Sequence, residues 1–126
     1  MKQNLTLTIS SLLTVVLTTA HVAHDAVHAT DGMALGGVSI LVLTMLVMLY
    51  GTLELGGRRT GYVIMLLGGI LAASMPFLHG MGPRTTRWGF FFVGTLFALG
   101  VTGSFTAVLS LRALWRSIRG RDSVGA

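Results

Sequence analysis

From Met33 to Leu53 the chain carries no charged residue. At about 1.5 Å of rise per residue, a helix over that run crosses a hydrocarbon core of about 30 Å. A stretch like this either spans a membrane or is wrapped on all sides by other protein, and the rest of the chain lacks the polar surface for the second arrangement. Three further apolar runs, Leu5–Ala29, Gly61–Gly80 and Trp88–Leu111, are joined to it by short polar connections. With 52% hydrophobic and 10% charged residues in 126, the composition departs from that of a soluble domain. The expected fold is an all-α membrane protein, a single membrane domain over residues 1–126. It is a four-helix antiparallel transmembrane bundle, because short connections make consecutive helices antiparallel neighbours.

The formal net charge is +5, but the basic residues form no continuous stripe of the kind that binds nucleic acid. Lys2, Arg58-Arg59, Arg84 with Arg87, and the series Arg112, Arg116, Arg119 and Arg121 are separated by apolar runs. Alternate connections place seven of these on one side and two on the other, so the positive-inside bias predicts a multi-pass cell-membrane protein with both termini cytoplasmic. Tyr50, Tyr62 and Trp115 then mark the inner interface and Trp88 the outer one. Val27-His28-Ala29 resembles a signal-peptidase site, but the preceding apolar stretch is long for a signal peptide and is broken near its end by histidines and an aspartate. Helix 1 is therefore read as a retained span. Small-residue pairs at Gly57/Gly61, Gly69/Ala73, Gly94/Ala98 and Gly100/Ser104 suit close helix packing, between helices 3 and 4 or in a homo-oligomer.

The chain has no cysteine, which excludes thiolate metal sites and leaves His, Met, carboxylate and backbone as ligands. His21, His24, Asp25 and His28 stand at i, i+3, i+4 and i+7, one stripe about 100° wide. Thr18, Thr14 and Ser10 continue this face towards the N-terminus, so helix 1 is expected to turn it to protein and not to lipid. Helices 1 and 3 run the same way, which carries His79 to the same membrane face, and Pro76 is placed to redirect the last turn of helix 3.

Ionisable groups at the rim of a span are costly unless partnered, so this cluster is the candidate site. Its candidate metal or haem ligands are His21, His24, Asp25, His28 and His79, with Met75, Met81, Arg84 and Arg87 as secondary candidates. Haem b would take two axial histidines, one from helix 1 and His79, with Arg84 and Arg87 at its propionates. Copper would use histidine and methionine together. These rank together, ahead of zinc and iron; the alternative without cofactor makes the histidines interfacial or structural. His-x2-His-Asp-x2-His stands alone here, whereas a desaturase-like diiron site needs several such boxes, and no catalytic residue is assigned. The expected function is electron transfer or metal handling at a histidine-lined site near the extracytoplasmic face. The other reading is an accessory or assembly subunit of a larger membrane complex with no cofactor of its own. Glu54 and Arg58 are expected to pair across one helical turn.

Overall fold

The computed structural model describes residues 4–28, 35–81 and 89–122, with side chains described over 4–27, 39–79 and 89–120. Four helices follow in order: α1 Leu5–His28, α2 Leu35–Leu53, α3 Arg59–Met81 and α4 Phe90–Asp122. Three are long and apolar enough to cross a membrane, over Leu5–Val27, Arg59–His79 and Phe90–Gly120. α2 contributes a shorter apolar stretch, Ser39–Leu53.

The described helices begin and end near the ends of the apolar runs, except that α4 runs well past its own. That helix continues past Leu111 to Asp122, because hydropathy marks where lipid ends and not where a helix must. Leu, Ala and Arg all favour helix. At the start of α1, Asn4 accepts a hydrogen bond from the Leu7 amide through its side chain at 3.4 Å, the N-cap arrangement that satisfies an otherwise orphaned donor. The turn between α2 and α3 passes through Gly57 at φ 86°, a left-handed conformation that glycine adopts without steric cost. Because α2 stops at Leu53, Glu54 and Arg58 share no helical face and make no ion pair, contrary to the expected helical pairing.

The helices form a ring in which each packs against its sequence neighbours and α4 closes back onto α1. α1 and α3 also touch across the centre, while α2 and α4 stay apart among the described residues. The closest crossing joins α3 and α4. A Cβ on Gly103 would stand 2.6 Å from the Ala73 nitrogen and 2.8 Å from the Gly69 oxygen, and one on Gly69 would meet Gly103 and Ala107 backbone at 2.8 Å. Backbone thus lies against backbone, as the small residues of these helices allow. One turn further on, Pro76 sits inside a continuous α3 and abuts Gly100.

The bundle is apolar outside and partly polar within. Ile9, Val16, Leu43, Leu67, Phe97 and Phe105 are exposed, whereas Ser10, Ser11, Thr14, Thr52 and Thr106 are buried. This inverts the usual disposition of a water-soluble protein. The hydroxyls are partnered between helices: Ser10 with Thr106 at 2.7 Å, Thr14 with Thr106 at 3.1 Å, and Ser11 with Thr52 at 2.7 Å. Below them Leu7, Tyr62 and Met65 close the core. The polar face of α1 accordingly points inward, as expected from its spacing.

Candidate metal centre

Seven residues beyond Thr14 on the same α1 ridge, the inward polar groups change from hydroxyls to a histidine and a carboxylate. His21 and Asp25 lie one helical turn apart on α1, and α3 brings His79 to them. His21 Nε2 is 3.5 Å from Asp25 Oδ2, and His79 Nε2 is 3.4 Å from the same oxygen. One nitrogen from each histidine and one oxygen of Asp25 all lie within 4.8 Å of one another. The imidazoles of His21 and His79 meet edge to face, with centroids 5.0 Å apart.

The proton positions follow from the partners of the other ring nitrogens. His79 Nδ1 is 3.0 Å from the Met75 carbonyl oxygen, which can only accept, so Nδ1 carries the hydrogen and donates it. His21 Nδ1 is 3.2 Å from Thr95 Oγ1. The Thr95 hydroxyl already points its single hydrogen at the carbonyls of Phe91 and Phe92, 2.9 and 3.0 Å away, so it accepts from His21 Nδ1–H. Where Nδ1 alone carries the hydrogen, both imidazoles present a bare Nε2 lone pair towards Asp25 Oδ2; where His79 Nε2 carries one as well, it donates to that oxygen at 3.4 Å. His21 Nε2 is buried and has no hydrogen-bond partner. Three acceptors facing one another attract only when a cation, a proton or a metal ion, lies between them.

The donor set and its supports match those of metal-binding imidazoles, whose second nitrogen is held by a carbonyl or another oxygen that fixes tautomer and ring angle. Four-coordinate zinc with bonds of about 2.0–2.1 Å has ligand-to-ligand edges of about 3.3–3.4 Å, close to the two nitrogen–oxygen separations here. Haem fits less well: Asp25 Oδ2 stands within 3.5 Å of both Nε2 atoms, in the space a porphyrin between His21 and His79 would take.

Burial is graded across the cluster. His21 is 2% exposed, while Asp25, His24 and His79 lie between 20% and 30%. Phe92 forms one wall, with centroid distances of 5.1 Å to His21, 5.6 Å to His79 and 6.0 Å to His24. His24 stands beside the other carboxylate oxygen, with Nδ1 3.7 Å from Asp25 Oδ1, and faces the Phe91 ring at 5.3 Å. It adjoins the three-atom group without belonging to it.

Of the secondary candidates, Met75 contributes its carbonyl to His79, but its side chain lines a separate, largely apolar cavity between α1, α2 and α3 with Met45 and Met48. The side chains of His28 and Met81, and the whole of Arg84 and Arg87, lie outside the described residues. Two residues that support the site were not singled out from the sequence: Thr95, which orients His21, and Phe92. Their signal is periodic. Phe92, Thr95, Leu99, Gly103, Thr106 and Ser110 are all buried and recur every three or four residues, the inward ridge of α4 that answers the ridge of α1. No known protein family, curated protein or solved structure matches the chain.

Proposed function

We propose that this chain is a membrane protein that binds one divalent first-row transition-metal ion through His21, Asp25 and His79, and that it serves in metal handling. The observation that carries the reading is the convergence of two Nε2 lone pairs and a carboxylate oxygen, each imidazole held in that tautomer from behind. A bound ion supplies the positive charge that these three acceptors lack. Two nitrogens and one oxygen without sulfur suit zinc, iron or manganese better than copper(I). A blue-copper electron carrier also needs a thiolate, which this chain does not possess. The partial exposure of Asp25 and His79 leaves the ion a path to water, as exchange requires.

The site's membrane side follows from its distance to the basic end of the bundle. Thr95, beside His21, and Ser117, beside Arg59, are separated along α4 by about 33 Å at 1.5 Å per residue, roughly one hydrocarbon core. With the arginine-rich end in the cytoplasm, the metal centre opens at the extracytoplasmic rim.

The test is metal analysis of protein purified in detergent without chelator. One equivalent of a divalent metal in the wild type, lost in His21→Ala, Asp25→Asn and His79→Ala, supports the reading. Absence of metal, together with wild-type behaviour of all three variants, overturns it in favour of a structural histidine–aspartate network, as in an accessory subunit.

A further inference from the structure

The far end of α4 carries a second polar feature, which the metal centre does not use. Past Leu111 the helix has three distinct faces. Ala113, Leu114 and Ser117 turn towards the bundle and are half-buried. Leu111, Trp115 and Ile118, at i, i+4 and i+7, form an exposed apolar row. Arg112, Arg116 and Arg119, at the same spacing, form an exposed basic row about 100° further round the helix. The Arg119 guanidinium lies over the Trp115 ring, 4.9 Å from its centroid, joining the two rows.

This extension is held in place. Arg59, the first residue of α3, donates through Nη2 to the Ser117 carbonyl, tying the end of α4 to the start of α3. Arg58 is exposed beside that junction. Among the described acidic side chains Asp25 lies at the opposite end and Glu54 alone lies at this one. Counted along α4 from Thr95, one hydrocarbon thickness reaches the level of Ser117. Arginines and a tryptophan side by side at that level match the composition of an interfacial amphipathic surface.

We infer that the α4 extension docks on the phosphate-bearing headgroups of anionic phospholipids in the leaflet at this end, with Trp115 at the acyl boundary and Arg112, Arg116 and Arg119 on the phosphates. Guanidinium groups suit that partner because their fork of donors matches phosphate oxygens. The surface is independent of the metal reading and survives its failure.

The full chain tests this in a Trp88→Phe background, which leaves Trp115 as the single indole. Vesicles are made of phosphatidylcholine with phosphatidylglycerol, and bromine is placed on the acyl chains of one lipid or the other at equal mole fraction. Brominated phosphatidylglycerol is expected to quench Trp115 more strongly than brominated phosphatidylcholine. The selectivity should fall by up to about fivefold for each arginine changed to glutamine, and should weaken with salt. Comparing the two lipids within each variant cancels any change in indole yield from loss of Arg119. Equal quenching by both lipids, or a preference that survives in the Arg112→Gln/Arg116→Gln/Arg119→Gln variant with its helix content intact, overturns the inference.

Discussion

The hydroxyl cluster at one end of the bundle and the histidine cluster at the other are both polar groups set inside it, but they differ in whether donors and acceptors balance. In the hydroxyl cluster Thr14 donates to the Ser10 carbonyl at 2.9 Å and Thr52 to the Met48 carbonyl at 2.7 Å. That leaves Thr106 to donate to Thr14, Ser10 to Thr106, and Ser11 to Thr52. Each of these hydroxyl hydrogens finds an oxygen, and the result is adhesive between helices; Ser110 Oγ, one turn beyond Thr106 on α4, is buried without a partner and stands outside this cluster. At the histidine end the same ridge of α1 supplies His21 and Asp25, and α3 supplies His79, as three acceptors with no hydrogen among them when Nδ1 alone carries each imidazole's hydrogen, and with His79 Nε2 donating to Asp25 Oδ2 when it carries a second. A balanced polar cluster holds a fold together; an unbalanced one with fixed tautomers is prepared for a cation.

The largest expected effect comes from removing a ligand. Asp25→Asn or His79→Ala should weaken metal binding by more than about 100-fold, beyond the range typical of outer-shell partners, as read by competition with a chromophoric chelator. A loss of only a few-fold would mean that the three acceptors do not act as one site.

Next is the crossing that sets α3 against α4. Gly103→Leu forces a side chain into the backbone of α3, and overpacking of this kind costs about 1–3 kcal/mol. Thermal unfolding in detergent should shift down accordingly, and metal affinity should fall as His79 is displaced. Gly94, which faces open space, provides the control: Gly94→Leu should change neither.

Thr95→Val sharpens the comparison further. It removes the oxygen that accepts from His21 Nδ1–H and should lower metal affinity by about 10–100-fold through the freed tautomer and ring angle. Helix content and unfolding temperature should change little. An unchanged affinity would show that His21 needs no support from α4.

The smallest effect belongs to the hydroxyl cluster. Thr106→Val breaks the link to Ser10 and Thr14 and should destabilise the bundle by about 0.6 kcal/mol, and by no more than about 1.7 kcal/mol, the range found for interhelical hydrogen bonds in membranes. Metal affinity should stay at the wild-type value. A matching loss of affinity would merge the two clusters into one network and break the comparison.

Much of this was legible in the sequence. Apolar run lengths gave four helices, and the i, i+3, i+4 spacing of His21, His24 and Asp25 matches the face that α1 turns into the bundle; His28's side chain lies outside the described residues. The parallel course of α1 and α3 brought His79 to the same end. What spacing does not carry is which atoms converge: His24 follows His21 by three residues, yet it meets the other carboxylate oxygen. Thr95 was hidden because a threonine in an apolar helix has no signature of its own until the facing ridge is known. Met75 was weighed as a sulfur ligand, and its backbone turned out to be the part that matters, since a carbonyl four residues before a histidine is within reach in any helix. The α4 extension was missed because hydropathy reports where lipid ends.

X-ray absorption at the metal edge of the loaded, detergent-purified protein tests the central claim most directly. The account predicts a first shell of nitrogen and oxygen alone, at about 2.0–2.1 Å for zinc, with the outer-shell scattering of two imidazoles that disappears in part in His79→Ala. A shell containing sulfur, a porphyrin signature, or a protein that retains no ion would contradict it.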